Sequence, residues 1–524
     1  AGLVGSEMCI RDSKSSVRII GRETGCHAQA YFLYDSKQAG SMTLSHLRFG
    51  PRPIRAPYLV ESASFIGCHH FPFARRFDVL ERAAPGATLL LNCPFPAEGT
   101  WAELPRAMQE QIVRLGVRVY VIDACGLARA LKLGSRINTI MQACFFALTE
   151  CIPCDTAMNR IKAGIRHAYK KKGQVVVERN WQAADRAVEA LQEVAVPSLP
   201  AGAAEPDPPE PEAVPEFVDR VTRELVARRG GDLPVSVLPP DGAWPPDTSA
   251  YEKRRVSQRV PVWDPEACLQ CGRCSLFCPL GCIRATHTGA GELDPAPQGF
   301  ASARLRGRGL RARRYTLIVH EEDCTGCGLC IEACPVRIRD RGGARALTFE
   351  EAAPRRERNR EHCRFFASLS APDPASTNTL TVRGVQYLPP RFAYPGACAG
   401  CGETPYLKLL SQLFGERLLV ANAGGCSAVF GGHLPASPWT TDADGHGPAW
   451  AAALDGDAAD FGLGFRLSLD ARGPDPARPT VWVVGGDGWA SGDGRAGLER
   501  VLAGDRNLNV LVLDTEICSN SGGQ

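Results

Sequence analysis

The feature that most constrains this chain is a duplicated run of cysteines in its second half. Its members lie 56 positions apart in each case: Cys268, Cys271, Cys274 and Cys278, then Cys324, Cys327, Cys330 and Cys334. Both runs have the spacing C-x2-C-x2-C-x3-C, and a proline follows each last cysteine. Three thiolates on a tight turn can bind three corners of one metal cluster, whereas the fourth begins a helix that points away. The spacing therefore predicts that the two runs exchange their fourth cysteines.

This spacing is the one found in bacterial ferredoxins that hold two [4Fe–4S] clusters. We expect one cluster on Cys268, Cys271, Cys274 and Cys334, and the other on Cys324, Cys327, Cys330 and Cys278. Two zinc sites are the alternative, because zinc also binds four cysteines. The duplication and the trailing Cys-Pro pairs favour iron–sulfur clusters, which in such a module transfer electrons. Cys282 is an extra thiol near the first run, and we expect it to belong to the core.

The cysteine pattern and the first residues indicate the cellular compartment in which we expect the protein. About half of the 22 cysteines lie in C-x2-C pairs and the first residues have no signal-peptide pattern, so we expect a reducing cytoplasm. Cys151-Ile-Pro-Cys154 has thioredoxin-like spacing without the expected strand, which favours core or surface thiols.

A net charge of +3 gives no reason to expect nucleic acid as a partner. No apolar run reaches the roughly 18 residues of a membrane span.

Hydrophobic patterning predicts a multidomain α/β protein. The first α/β domain is expected at 14–230, with strands at 17–20 and 117–122 and helices at 137–148 and 184–194. Residues before this domain fit no part of the pattern, and we leave them out of the predicted fold.

Three further regions follow along the chain. A proline-rich extended linker is expected at 231–262, and the 2[4Fe–4S] ferredoxin-type domain with its connector at 263–385. A second α/β domain is expected at 386–524, and its end directly after a Gly-Gly pair favours truncation. Residues 1–13 are the unmatched N-terminal segment, which we expect to be artefactual.

A strand-like run at 481–484 leads into a glycine-rich turn that predicts a diphosphate site. The glycines of Gly486-Asp487-Gly488 let the backbone approach a diphosphate, and Asp487 supplies an oxygen ligand for Mg²⁺. Thr515 follows Asp487 by 28 residues, after one helix and one strand, where thiamine-diphosphate enzymes have a second metal ligand. The carbonyl of Ile517 is the expected third ligand, and Asn520 is expected to meet the cofactor or substrate. An ordinary β-turn is the alternative interpretation.

A third group of cysteines is incomplete. Cys398-Ala-Gly-Cys401 is another C-x2-C pair, and Cys426 follows two glycines. A cubane needs four thiolates, so a fourth ligand must come from elsewhere, with Cys363 and Cys518 as weak candidates. The residues alone leave zinc and an iron–sulfur cluster both open.

Taken together, these motifs resemble the single-chain pyruvate:ferredoxin (flavodoxin) oxidoreductases. The matching segments occur in the same order over nearly all of 14–524, and they are 31–40, 45–55, 136–142, 233–236, the two cysteine runs, 396–406, 486–490 and 519–520. The resemblance implies oxidative decarboxylation of pyruvate with coenzyme A to acetyl-CoA and CO₂, with ferredoxin or flavodoxin as the electron acceptor. It also implies a homodimer for the intact protein.

The resemblance further implies roles for particular residues. Cys398, Cys401 and Cys426 would hold a third [4Fe–4S] cluster beside thiamine diphosphate, and Asp487, Thr515 and Ile517 would hold Mg²⁺. The catalytic residue would be Asn520. The residues expected to line the cofactor are Glu403, Cys426, Gly486, Asp487, Gly488, Trp489, Thr515, Glu516, Ile517, Cys518, Ser519 and Asn520.

The chain also departs from the family pattern. The first two domains of the family are missing, and the fourth cysteine of the third cluster would lie beyond Gln524. The run Ser491-Gly-Asp-Gly-Arg495 is also unusual. We therefore expect an internal fragment that does not itself turn over pyruvate. A non-catalytic electron-transfer protein and an oxidoreductase for another 2-oxoacid are the alternatives.

Overall fold

A computed structural model describes most of the chain, and two compact units compose it. The described residues are 2–5, 7–23, 25–33, 40, 42–134, 136–197, 214–307, 312–374, 377–432, 434–453, 457–473 and 478–517. The first unit is Ala1–Asp35 with Ser41–Glu212, and the second is Ser36–Gly40 with Ala213–Gln524. Among the helices of these residues, none is both long and apolar enough to cross a membrane.

The first unit is built on a seven-stranded mixed sheet with the order β2-β3-β1-β4-β5-β6-β7. Its strands are β1 (Gly2–Gly5), β2 (His27–Leu33), β3 (Thr43–Gly50), β4 (Ala63–Cys68), β5 (Ala83–Asn92), β6 (Arg118–Ile122) and β7 (Gln192–Val194). Its helices are α1 (Glu7–Glu23), α2 (Phe71–Arg76), α3 (Ala97–Glu103), α4 (Arg106–Leu115), α5 (Ala124–Ala130), α6 (Asn138–Thr149), α7 (Cys154–Tyr169) and α8 (Gln174–Glu189).

Helices cover both faces of this sheet, which explains the apolar run in β5. Leu89 and Leu91 pack into a core formed with α2, α3 and α4, whereas Leu90 packs into a core formed with α1, α5, α6, α7 and α8. All three side chains are buried. Continuous apolar residues of this kind are typical of strands with a helical layer on each side.

The predictions for this unit are confirmed in part. The strand at 117–122 and the helix at 137–148 are confirmed by β6 and α6. The predicted strand at 17–20 is wrong, because these residues lie in α1, where Ser13, Ser16 and Ile20 are buried at helical spacing. The predicted helix at 184–194 ends early, at Glu189, and β7 follows.

The segment at 1–13 has a place in the fold that the sequence did not suggest. Its strand β1 pairs antiparallel with β3 and parallel with β4, inside the sheet. The run Gly-Leu-Val-Gly is too short to show an alternating pattern of its own, and its partners come from distant parts of the chain.

The second unit begins with short helical turns and a small cysteine-rich domain. Its strands are β8 (Arg259–Trp263), β9 (Ile283–Gly289), β10 (Ala303–Arg304), β11 (Arg313–Val319) and β12 (Leu347–Glu351), and its helices are α9 (Arg223–Val226), α10 (Arg273–Leu276), α11 (Leu329–Glu332), α12 (Arg356–Ser368) and α13 (Val382–Val385). The antiparallel pairs β9–β11 and β8–β12 frame the two cysteine runs.

The predicted extended linker at 231–262 differs from the structure. It contains three short 3₁₀ turns and most of β8, and Thr248, Ser249 and Arg254 are buried. The Arg254 guanidinium donates to the carbonyls of Tyr394 and Pro395, both at 2.9 Å. Because these partners lie about 140 positions away, local proline content could not predict the burial.

The last region is a four-stranded, all-parallel sheet with the order β14-β13-β15-β16. Its strands are β13 (Leu418–Asn422), β14 (Ala449–Ala452), β15 (Thr480–Gly486) and β16 (Asn509–Leu513), and its helices are α14 (Thr404–Phe414), α15 (Cys426–Gly431), α16 (Ala458–Ala471), α17 (Asp487–Ser491) and α18 (Arg495–Ala503). The predicted strand at 481–484 is confirmed by β15, and the helix and strand expected between Asp487 and Thr515 are confirmed by α18 and β16.

Candidate cluster sites and cofactor-binding edge

Two small cavities in the cysteine-rich domain each bring together cysteines from both runs. The first cavity is lined by Cys268, Cys271, Cys274 and Cys334, with Trp263 and Tyr315 in its apolar wall. The second cavity is lined by Cys324, Cys327, Cys330 and Cys278. These are the two sets that the spacing predicts, with the fourth cysteines exchanged.

Backbone conformation explains how each run folds around its cavity. The amide of Gln270 donates to Cys268 Sγ at 3.3 Å, and the equivalent amide of Gly326 donates to Cys324 Sγ at 3.4 Å. Gln270 and Gly326 both have positive φ, as do the next equivalent pair, Gly272 and Gly328. Gln270 carries a side chain in this unfavourable region, and its amide group bonds to the backbone of Arg304 and Arg306.

The burial of several thiols in each cavity favours the binding of positively charged metal ions there. Burial raises the pKa of Cys274, Cys324 and Cys330, and the neighbouring thiolates of each set add to the shift. Four thiols that converge in an apolar space hold their charges only when metal ions neutralise them. The donor set, the enclosed walls and the amide–sulfur hydrogen bonds all fit a [4Fe–4S] cluster in each cavity.

A lysine that sequence patterning did not predict lies beside the second cavity. Lys408 in α14 is buried, and its ammonium donates to the Ser275 carbonyl. Burial lowers the pKa of Lys408 to about 8, and the nearby Cys278 thiolate opposes this shift. At neutral pH the group is therefore a positive charge close to the second cysteine set.

The third cysteine group lies next to the second cavity. Cys401 and Cys426 pack against one hydrophobic cluster, and Cys398 is exposed. Gly400, between the two members of the pair, is close enough to Cys327 that a Cβ on Gly400 would lie 3.9 Å from the Cys327 Cβ. Cys363 lies elsewhere, with its sulfur near Asn359 and the Val319 carbonyl, and Cys518 is outside the described residues.

Asn422 sets the position of Cys426 at the end of β13. The buried amide of Asn422 donates to Ser427 Oγ at 2.9 Å and to the Ala423 carbonyl at 2.7 Å. Gly425 takes a φ of 128°, which only glycine adopts readily, and α15 begins at the next residue. This turn places Cys426 at the carboxyl edge of the parallel sheet.

The predicted magnesium ligands meet at the same edge. β13, β15 and β16 are neighbours and parallel, so their carboxyl ends lie side by side, where open α/β sheets bind ligands. Thr515 Oγ1 lies 3.4 Å from Asp487 Oδ1 and 2.9 Å from the Ile517 carbonyl oxygen. Three oxygens this close, from a carboxylate, a hydroxyl and a carbonyl, suit one octahedral Mg²⁺.

The other predicted cofactor residues are distributed around this edge. Gly486 and Gly488 flank Asp487 at the start of α17, Glu403 precedes α14 and is half-buried, and Glu516 is exposed with a φ of 60°. The Trp489 indole differs from the expectation, because it is 7% exposed and packs in the core beneath the edge. Cys518, Ser519 and Asn520 lie outside the described residues.

Sequence profiles of three protein families match the chain. The pyruvate ferredoxin/flavodoxin oxidoreductase family matches residues 16–190, a domain of unknown function (EKR) matches 203–257, and a 4Fe-4S dicluster domain matches 267–338. All eight cysteines of the repeat therefore lie in a dicluster domain, and the chain is an iron–sulfur protein.

Comparison with whole proteins shows which iron–sulfur proteins the chain is similar to. A putative pyruvate-flavodoxin oxidoreductase of Synechocystis sp. is 41% identical over 584 residues, covering 99% of this chain and 49% of the relative. The pyruvate:ferredoxin oxidoreductase of Moorella thermoacetica is 38% identical over 593 residues, covering 99% and 50%. The chain belongs to the pyruvate ferredoxin/flavodoxin oxidoreductase family, which confirms the resemblance seen in the sequence. It spans about half the length of the curated relatives it matches.

Among solved structures, subunit PORC of pyruvate oxidoreductase from Thermotoga maritima aligns over 36% of this chain and 96% of its own length. The sequence identity is 16% and the TM-score is 0.28.

Proposed function

We propose that this chain carries the electron relay and the magnesium-binding edge of a pyruvate:ferredoxin (flavodoxin) oxidoreductase. In the whole protein, pyruvate and coenzyme A give acetyl-CoA and CO₂, and the electrons pass to ferredoxin or flavodoxin. The observation that carries the proposal is the meeting of Asp487, Thr515 and the Ile517 carbonyl at the sheet edge that also holds Cys426.

Each group at the edge has a defined task in this proposal. Asp487, Thr515 and Ile517 bind Mg²⁺, which in turn anchors the diphosphate of thiamine diphosphate. Gly486 and Gly488 leave room for the diphosphate beside the backbone. When bound, thiamine diphosphate supplies the carbanion chemistry of decarboxylation. Asn520 is proposed to contact the substrate, and Glu403, Cys426, Glu516, Cys518 and Ser519 to line the cofactor.

The cysteine sets form the proposed relay from this edge. Cys398, Cys401 and Cys426 hold the cluster nearest the cofactor. A fourth ligand, which is not one of these three cysteines, completes it. Gly400 lies against Cys327, so the next cluster is the one on Cys324, Cys327, Cys330 and Cys278. Cys330 is close enough to Cys274 for their charges to interact, so the last cluster is the one on Cys268, Cys271, Cys274 and Cys334.

The proposal also covers the cellular compartment and the oligomeric state. Among the 20 cysteines whose side chains the structure describes, none is joined to another in a disulfide, which suits a reducing cytoplasm. The whole protein is proposed to be a homodimer, in line with the family resemblance.

The test uses the full-length protein encoded by the gene, prepared anaerobically, with Asp487→Ala as the variant and Asp505→Asn as the control. The Asp505 side chain is fully exposed, so its loss should be neutral. We expect Asp487→Ala to abolish pyruvate-dependent flavodoxin reduction while the iron content stays normal. Because this variant removes one of three Mg²⁺ ligands, thiamine diphosphate binding should fall at least about tenfold, as seen by titration calorimetry.

Three outcomes would contradict this function or a part of it. Unchanged pyruvate oxidation in Asp487→Ala would contradict the assignment of Asp487 as a magnesium ligand. A full-length protein that carries iron but reduces flavodoxin with no dependence on thiamine diphosphate would favour the simple electron carrier. Faster turnover of 2-oxobutyrate or 2-oxoglutarate than of pyruvate would favour the other oxoacid enzymes.

A further inference from the structure

The two cysteine cavities differ by one thiol. The first cavity is lined by four cysteines, whereas the second has Cys282 in addition to its four. In the internal repeat, the residue at the same distance after Cys334 is Ile338, which does not line the first cavity and instead forms a bridge with Ala344. The extra thiol is therefore particular to one of two otherwise equivalent sites.

A tight turn returns Cys282 to the side of Cys278. The Gly281 amide donates to the Cys278 carbonyl at 3.1 Å, and Gly281 has a φ of 63°. The Cys282 carbonyl then accepts from the His320 amide at 2.8 Å, which fixes the residue at the start of β9. Its side chain is 1% exposed.

The Cys282 side chain lines the same cavity as the Cys278 side chain. A hydrogen bond from the Cys282 thiol lowers the pKa of Cys278, and the Cys324 thiolate is close enough to contribute to the raised pKa of Cys282. Burial among Leu280, Ala393 and Tyr394 agrees with the core position expected from sequence. Core packing alone, however, does not require a sulfur that faces the same cavity as four other thiols.

We propose that the iron corner bound by Cys278 in the second cluster can be bound by Cys282 instead. This inference rests on the proposed ligation of a [4Fe–4S] cluster by Cys324, Cys327, Cys330 and Cys278. In the exchange, the iron–sulfur bond of Cys278 breaks and that of Cys282 forms. The thiol proton moves from Cys282 to Cys278, so that the charge and the iron oxidation states do not change.

The proposal also defines what Cys282 does while Cys278 is the ligand. Its S–H group donates to a cluster-bound sulfur, and such hydrogen bonds raise the reduction potential of an iron–sulfur cluster. The first cluster has no equivalent donor at Ile338. Loss of the Cys282 thiol should therefore lower the potential of one cluster and leave the other unchanged.

The repeat supplies a matched pair of variants. We compare Cys278→Ala with Cys334→Ala in this chain, prepared anaerobically, by iron and acid-labile sulfide analysis and by EPR of the reduced protein. We expect Cys278→Ala to keep the wild-type iron content with altered g values. Cys334→Ala should lose iron, and so should the double variant Cys278→Ala/Cys282→Ala.

The outcomes separate this inference from the proposed function. Equal loss of iron in Cys278→Ala and Cys334→Ala would overturn the inference, and so would full iron in the double variant. Zinc in place of iron in the wild-type chain would overturn the cluster assignment itself. If Cys278→Ala is insoluble, redox titration of Cys282→Ala provides the test. Unchanged reduction potentials of both clusters would show that the Cys282 thiol does not contact the second cluster, and would overturn the inference.

Discussion

At the scale of single residues, Lys408 places a buried positive charge beside the second cysteine set. Its ammonium is charged at neutral pH, with a pKa of about 8, and it is close to Cys278. A nearby positive charge stabilises the electron that a cluster gains on reduction.

We therefore expect Lys408→Met to lower the reduction potential of one cluster by about 60 mV, a tenfold change for a one-electron couple. EPR-monitored redox titration of the iron-loaded chain measures the shift. The exposed residue Lys171 supplies the control, as Lys171→Met. Identical titration curves for Lys408→Met and wild type would show that the charge has no influence on the cluster.

Burial also separates the free thiols of the first unit by reactivity. It raises the pKa of Cys68 and of Cys144 to about 12, whereas Cys154 is exposed at the start of α7. At pH 8 only about one in ten thousand molecules would carry either buried thiolate, since each pH unit below the pKa lowers that fraction tenfold.

Iodoacetamide at pH 8 should therefore label Cys154 well before Cys68 and Cys144, as followed by peptide mass spectrometry. Labelling of the two buried thiols should appear only after denaturation, which serves as the control. Equal rates for Cys144 and Cys154 in the folded chain would contradict the burial described here.

The residues that sequence predicts best are those whose chemistry depends on spacing. The eight cysteines of the repeat and the pair Asp487 and Thr515 could be predicted because fixed intervals on turns and parallel strands bring them together. Lys408 could not be predicted as a neighbour of a site, because it bonds to a carbonyl 133 positions away. The inward position of the Trp489 indole likewise depends on tertiary packing.

At the scale of elements, the junction from β15 to α17 has a strict steric requirement. A Cβ on Gly485 would lie 2.4 Å from the Trp489 ring and 2.8 Å from the Ala423 Cβ. Both neighbours are buried and have little freedom to move. A glycine is therefore needed where the strand passes over the indole.

We expect Gly485→Ala to lower the free energy of unfolding of this region by about 1–3 kcal/mol, as overpacked cores do. Urea denaturation followed by tryptophan fluorescence measures the change. Gly464→Ala in α16 is the control, because no atom lies within 4 Å of its added Cβ and alanine favours helix. A stability of Gly485→Ala equal to that of wild type would show that the indole can move aside.

Element prediction succeeded where a strand had a continuous apolar run and failed where polar residues were buried. β15 and β16 are valine-rich apolar runs next to glycine or asparagine, and the sequence predicts both. α1 was not predicted, because two of its buried positions are serines and its apolar residues resemble a short strand. Strand β12 pairs with β8 across more than 80 intervening residues, and no local pattern indicates that pairing.

At the scale of the whole molecule, the second unit connects the sheet edge to both cysteine cavities. Cys426 and the proposed magnesium ligands follow adjacent strands, and Gly400 lies against Cys327, which lines the second cavity. The chain spans about half the length of its curated relatives, so the proposed relay can be tested in this chain, whereas the proposed turnover must be tested in the whole protein.

The account depends most directly on what the eight cysteines of the repeat bind. A triple variant, Cys398→Ala/Cys401→Ala/Cys426→Ala, removes the third group and leaves the two cavities intact. Anaerobically prepared, this variant should contain about eight iron and about eight acid-labile sulfide per chain, as two [4Fe–4S] clusters require. About two zinc ions per chain with no acid-labile sulfide would contradict the central claim.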